Sequence, residues 1–515
     1  MANSGISKEL DGLASGNPTE QTGPASYDAD LIVIGGGPGG YTAAIRAAQL
    51  GQSVILVEKE AIGGVCLNWG CIPSKALIQA GKQYEKMCQA SQVGIVTADI
   101  QIDMKQMQAW KNGIVDRLTQ GVKQLLSANG VTVLSGEACF QSPHSLEITE
   151  SNGQKLTRTA KHSIIATGSS PIALPHLPLD HQVVLGSREV LSLQHVPQSL
   201  AIVGAGVIGL EIATLYAKLG TQVTLIEQQD RLLPALDDDI TRLLKKALKH
   251  QGIALHLSSS VQGCTVVSPD AGAQLTVADT AKNTGSAKGR NKSATTTINA
   301  EKVLVCVGRK PNTEALNLSA ANLSSNAAGF IETNHWLQTA TASIYAIGDV
   351  TGGPLLAHKA SREGLIAAEQ AAGKARTAKT CVMPAVIFSD PEIAFVGLSE
   401  KAAKAYGYAV KVGKFPFAAN GRALTLPMSK DTAGKEHTGM VKLITDAKSN
   451  AILGAQCIGA DVSEIISEIT LAIEMSATAD DLALTVHAHP TLSESWMEAA
   501  EAVENNAIHI FHAKK

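Results

Sequence analysis

Cys66 and Cys71 lie five positions apart in Gly63-Gly64-Val65-Cys66-Leu67-Asn68-Trp69-Gly70-Cys71-Ile72-Pro73-Ser74-Lys75, a pairing suited to reversible thiol chemistry. In an uninterrupted α-helix that offset leaves the two Cα atoms roughly 8–9 Å apart on divergent faces, outside the ~7 Å reach of a disulfide. The segment therefore has to bend for the sulfurs to meet, and Gly70 permits the bend. Pro73 suits the first position of a helix continuing through Ser74-Lys75-Ala76-Leu77-Ile78. Cys71 then sits at a helix N-terminus, where unpaired amides and the helix dipole favour a thiolate. Two buried structural cysteines would satisfy the same residues, so the pair alone leaves both readings open. A second constellation ends the chain: His487-Ala488-His489-Pro490-Thr491-Leu492-Ser493-Glu494. A histidine five residues before a carboxylate, across a proline turn, has the makings of a base and its orienting partner. Metal binding by both histidines lacks an evident third ligand, and a satisfied core histidine is the simplest reading of the stretch in isolation.

The elements that would position these groups are legible on either side of them. Asp30-Leu31-Ile32-Val33-Ile34 has buried-strand character and runs into Gly35-Gly36-Gly37-Pro38-Gly39-Gly40, where Gly35, Gly37 and Gly40 fit G-x-G-x-x-G. An alanine-rich helix from Tyr41 to Leu50 ends at Gly51, and a second strand from Ser53 to Val57 closes on Glu58. This is a complete dinucleotide-binding fingerprint: glycines for close backbone approach, a helix N-terminus for pyrophosphate, and an acid for a ribose hydroxyl. It recurs at Leu200 to Glu227, with Gly204, Gly206 and Gly209 in the turn, a helix from Leu210 to Leu219, and Glu227 at the end of the second strand. A carboxylate at Glu227 would repel the 2′-phosphate of NADP and favours NAD. Two nucleotide sites in one chain are what a hydride relay needs.

Other stretches are less specific. Met107, Trp110, Ile114, Leu118, Val122 and Leu125 recur at helical spacing, with Trp110 expected in the core. Ser163 to Gly168 reads as a strand ending in small residues that let backbone approach a cofactor, and Asn152-Gly153 as a hairpin turn. Asp237-Asp238-Asp239 complements the dipole of the helix it opens, a structural role. Lys302 to Val307 is an apolar strand followed by a turn at Gly308-Arg309-Lys310-Pro311-Asn312, and Ser343 to Asp349 a strand whose aspartate can bind a polyol hydroxyl. From about Ala378 the texture changes to antiparallel strands over Ala385–Phe388, Lys411–Phe417, Met440–Thr445 and Ile452–Ile458, with helices near Ser399 and Asp461.

At 515 residues, 45% hydrophobic and with a net charge of −3, the chain has room for three or four domains and no bias toward nucleic acid or membrane. Eight cysteines are too few for a secreted disulfide scaffold. No apolar stretch is long enough to span a bilayer. Met1 to about Ser26 reads as a flexible tail, neither a signal peptide nor an Arg-rich transit peptide, and a cytoplasmic location is expected. Residues 278–297 read as a low-complexity loop.

Taken together, G-G-V-C-L-N-x-G-C-I-P-S-K, the two fingerprints, Ala166-Thr167-Gly168, Ile347-Gly348-Asp349 and His489-Pro490-Thr491-Leu492-Ser493-Glu494 resemble the flavin-dependent pyridine-nucleotide disulfide oxidoreductases. The resemblance covers nearly everything from Tyr27 onward and is strongest to the members acting on dihydrolipoamide. It implies an α/β fold with two Rossmann-like domains, for FAD and NAD, plus a C-terminal α+β dimerisation domain. The implied division is a tail over 1–27, the FAD domain over 28–185 and 311–380, the NAD domain over 186–310 and the dimerisation domain over 381–515. FAD would use Gly35, Gly37, Gly40, Glu58, Gly136, Gly168, Asp349 and Ala357, with Lys75 near the flavin and paired with Glu211. NAD would use Gly204, Gly206, Gly209, Glu227, Val261 and Gly308. Catalysis would fall to Cys66, which exchanges with the dithiol, Cys71, which faces the flavin, and His489 with Glu494 from the other subunit of a homodimer. No metal is implied. The implied partners are the lipoyl domains of 2-oxo-acid dehydrogenase acyltransferases or of the glycine-cleavage carrier protein. The alternatives are a related reductase for a glutathione-like substrate and a flavoprotein whose main task is docking.

Overall fold

The computed structural model describes residues 26–280, 295–374, 382–426 and 439–511. Nearly all of the N-terminal tail and the centre of the 278–297 loop lie outside the described residues. Three sheets organise the rest. In the first, Thr132–Ser142, Val54–Glu58, Ala29–Ile34, Lys155–Ile165 and Ile344–Ala346 lie side by side in parallel pairings, with Ile32 opposite both Ile55 and Ser163, and Tyr345 opposite Ile164. Leu31, Ile32 and Val33 are all fully buried, as expected of a parallel strand covered on both faces. The last strand arrives some 180 positions after its neighbour, so this unit needs two separated stretches of chain. Helix Pro38–Gln49 packs on helix Ala357–Ala371 at a crossing where a Cβ on Gly364 would lie 2.5 Å from the Gly39 carbonyl oxygen.

The second sheet is again parallel, in the order Ala254–His256, Gln222–Ile226, Ser199–Val203, Lys302–Val305, Val184–Leu185. An antiparallel three-stranded insert, Ser259–Ser268, Gly272–Asp279 and Thr295–Ala300, precedes its Lys302–Val305 strand. The third sheet is antiparallel, in the order Ala385–Ile387, Glu392–Gly397, Ile452–Gly459, Met440–Asp446, Val410–Pro416. Helices Val462–Glu474 and Glu494–Val503 accompany it, and Trp496, fully buried, donates its indole N–H to the Ile465 carbonyl at 3.1 Å.

Several expectations change. Trp110 is exposed: the Met104–Ala128 helix buries Met104, Gln108, Lys111 and Leu126 within this chain, and the apolar stripe through Trp110, Leu118 and Leu125 faces outward. Polar Gln108 and Lys111 are accommodated because they donate to the Leu191 and Leu193 carbonyls. Residues 309–311, expected as part of a turn, form a strand paired with Ser169–Pro171. The Cys-containing helix starts at Cys71 and not at Pro73, which is its third residue and still needs no intrahelical N–H partner. The acidic run does more than complement a dipole: Asp237 and Asp239 reach Lys442 of the third sheet at 2.9 and 3.3 Å, with Glu400 at 2.9 Å completing the cluster. No helix among the described residues is long and apolar enough to cross a membrane.

Candidate active site

The paired cysteines occupy a broken helix. Gly64–Trp69 carries Cys66, Gly70 breaks the run at φ −135°, ψ −111°, and Cys71 opens the helix Cys71–Cys88. A Cβ at Gly70 would sit 2.8 Å from the Val65 carbonyl oxygen, so the bend excludes a side chain there. Asn68 pins the short helix by donating to the Ile62 and Gly64 carbonyls at 3.0 and 2.9 Å, and it accepts from Thr119. Cys66 and Cys71 are free thiols in mutual hydrogen-bond contact. The contact divides their chemistry. The Cys71 thiol is pulled down to about 7, first by the hydrogen bond from Cys66 and further by the Lys75 charge, against burial and Glu211. Cys66 is pushed far up by giving that hydrogen bond and by burial. In the dithiol state Cys71 is therefore the thiolate and Cys66 its proton donor.

Lys75, one turn beyond Cys71, is held by Glu211 at 2.9 and 2.8 Å. Glu211 belongs to helix Val207–Lys218 of the second nucleotide unit and also accepts the backbone N–H of Phe388 at 3.0 Å, while the Lys75 ammonium lies 4.7 Å from the Phe388 ring centroid. Three separated parts of the chain thus fix one lysine. Phe388 carried no signal in the sequence, because its role is a backbone N–H delivered by the third sheet.

This assembly opens on a cavity of 2490 Å³ that both glycine fingerprints line, far above the roughly 300–1,000 Å³ of a one-ligand pocket. The two fingerprints are built alike. Glu58 accepts from the backbone N–H of Gly36 at 2.6 Å and of Glu60 at 2.7 Å; Glu227 accepts from Ala205 and Gln229, each at 2.8 Å. Gly35, Gly37, Gly204 and Gly206 line the cavity. Gly40 and Gly209 stand behind it, where a Cβ would fall 1.8 Å from the Gly35 oxygen and 2.0 Å from the Gly204 oxygen. Those two glycines let helix and strand close up, while around Gly206 a Cβ would meet nothing within 4 Å, leaving room for a pyrophosphate. The residues fit two dinucleotides, FAD and NAD. Gly136, Gly168, Asp349, Ala357, Val261 and Gly308 also line the cavity.

His489 does not line the cavity. Its side chain is 80% exposed, so it is no core histidine, and its Nδ1 lies 2.8 Å from Glu494 Oε1. Burial would raise the Glu494 carboxyl, but the Thr491 N–H at 2.7 Å and His489 outweigh it and hold it below its ordinary range. A carboxylate only accepts, so the His489 Nδ1 that faces it carries a proton. His487 differs: it is buried between Glu468 at 2.5 Å and the Thr485 carbonyl at 2.8 Å, tying the loop to helix Val462–Glu474. Among the described residues no cluster of three side chains suits a metal ion.

Residues 29–364 match the family model for pyridine nucleotide-disulphide oxidoreductases, and residues 383–500 match that family's dimerisation domain. A dihydrolipoyl dehydrogenase of Halobacterium salinarum is 44% identical over 489 residues, covering 95% of this chain and 98% of that protein. The dihydrolipoyl dehydrogenase of Bacillus subtilis is likewise 44% identical, covering 95% and 99%. Among solved structures, LpdA from Mycobacterium tuberculosis superposes with a TM-score of 0.81 at 28% identity, over 92% of this chain and 99% of its own.

Proposed function

The chain belongs to the pyridine nucleotide-disulphide oxidoreductase family, and from that membership we infer that it is a dihydrolipoyl dehydrogenase, oxidising protein-bound dihydrolipoamide to lipoamide with FAD and NAD as cofactors. The observation that carries this reading is the polarised Cys66–Cys71 pair, set beside Lys75 on a cavity lined by two dinucleotide fingerprints.

In the oxidised enzyme the two cysteines form a disulfide. His489 Nε2, with Nδ1 fixed by Glu494, takes a proton from the dithiol, and the resulting thiolate attacks Cys66 Sγ. The Cys66–Cys71 bond breaks, a substrate–Cys66 bond forms, and Cys71 leaves as the thiolate its surroundings favour. The second substrate thiol then displaces Cys66, releasing cyclic lipoamide and leaving Cys66 protonated beside the Cys71 thiolate. FAD held beside Cys71 and Lys75 would supply the two-electron link between this dithiol and NAD. Glu58 and Glu227 would hold the two adenosine riboses, and Lys75, paired with Glu211, would sit near the flavin.

Because His489 lies away from the cavity of its own chain, the working site takes this base from the partner subunit of a homodimer, whose interface is the C-terminal domain. The reading assigns residues 28–185 and 311–380 to the FAD domain, 186–310 to the NAD domain and 381–515 to the dimerisation domain. Lipoyl domains of 2-oxo-acid dehydrogenase or glycine-cleavage complexes are the partners, and the cytoplasm is the location. Side-by-side assays with dihydrolipoamide and NAD, and with glutathione disulfide and a reduced nicotinamide nucleotide, test the assignment. Turnover of the first pair is expected, and its failure would overturn the reading.

A further inference from the structure

Arg309 sits where the two nucleotide units touch. Its strand, Arg309–Pro311, follows the Gly308 loop and pairs with Ser169–Pro171, which follows the Gly168 loop, with Pro311 opposite Ser169. The guanidinium is largely buried, 15% exposed, and crosses this ribbon: Nε donates to Ser169 Oγ at 2.7 Å and Nη2 donates to the Ser169 carbonyl at 2.5 Å. A hydroxyl has one proton, and with Arg309 donating to it, Ser169 Oγ gives that proton to Asp349 Oδ2 at 2.5 Å. Arg309 Nε lies 4.0 Å from the same carboxylate oxygen. The bonds therefore run in one direction, from guanidinium through hydroxyl to carboxylate. Arg309, Ser169, Asp349 and Cys71 all face the same cavity.

We propose that Arg309 is a positioning residue of the flavin site, fixing Asp349 through Ser169. The proposal rests on the reading of Asp349 as a FAD residue. A carboxylate that must receive a cofactor hydroxyl gains from having its other oxygen committed, and a charge-assisted relay commits it more firmly than a serine alone.

Four variants of the full-length holoenzyme test the relay, with FAD retention read by equilibrium dialysis. Arg309→Met should weaken FAD binding by about tenfold or more, the loss expected for a charge-assisted hydrogen bond. Arg309→Lys should also leave FAD binding weakened, since an ammonium lacks the two-point hold on Ser169. Ser169→Ala should weaken FAD binding, and adding Arg309→Lys to it should weaken binding little further, because both act through one chain of bonds. If Arg309→Met folds poorly, the serine, lysine and double variants still decide. Unchanged FAD binding in Ser169→Ala, or losses that simply add in the double variant, overturns the relay. Wild-type protein without flavin or dihydrolipoamide turnover would instead overturn the functional reading beneath the proposal.

Discussion

The thiols of Cys71 and Cys66 differ in the structure. The Cys71 value falls from 9.0 to about 7 because it receives a hydrogen bond and faces Lys75. A group whose folded value is depressed adds stability that is fully present above the unfolded value and is lost as pH falls through the folded one. The dithiol enzyme should therefore gain melting temperature relative to the disulfide form between about pH 7 and pH 9, as measured by paired thermal scans; parallel curves across that window would contradict the assignment. Cys66→Ser should abolish dithiol turnover and retain FAD. His489→Gln should slow turnover by about 10²–10⁴-fold, the range for a general base, and near-normal activity in stopped assays would remove His489 from that role. The two cysteines and His489 were legible because their neighbours form long continuous motifs. Arg309 was passed over as part of a turn, since its partners Ser169 and Asp349 are 140 and 40 positions away.

Both strand–turn–helix fingerprints were legible as whole units, because each is local and its glycines are spaced by backbone geometry. Gly40→Ala and Gly209→Ala test them separately. Each Cβ would strike a backbone oxygen, of Gly35 or Gly204, that cannot move without opening its loop. Gly40→Ala should lose FAD, read as flavin absorbance per chain; Gly209→Ala should keep FAD and raise the KM for NAD by about tenfold or more. If both behave alike, the two loops do not serve different cofactors. Strand Glu392–Gly397 escaped notice although it lies between two neighbours in its sheet. Its alanine, glycine and preceding proline give a weak strand signal, and tertiary pairing overrides propensity there. The exposed stripe of Trp110 shows the opposite limit: helical spacing reveals an apolar face without saying which surface covers it.

At the scale of the molecule, the second nucleotide unit is fastened to the C-terminal sheet by ions. Lys442, 2% exposed, faces Asp237, Asp239 and Glu400. Lys442→Met would leave the buried Asp237 without its cation, while Asp239 keeps Lys414 and Glu400 keeps Lys404, and should cost about 3 kcal/mol, measured by denaturant unfolding. A change below about 1 kcal/mol would mean that water replaces the lysine. No sequence pattern announced this cluster, because the acidic run and the lysine are about 200 positions apart.

The exposed His489, absent from the lining of the cavity that holds Cys66 and Cys71, has a consequence for inheritance. Two null alleles, one carrying Cys66→Ser and the other His489→Gln, each encode a dead homodimer. Co-expressed chains that assemble at random form mixed dimers half the time, and each mixed dimer holds one site with intact cysteines and an intact histidine. Such a cell should recover about a quarter of normal activity, as symmetric pairing requires. Strict failure to complement would mean that base and disulfide come from the same polypeptide.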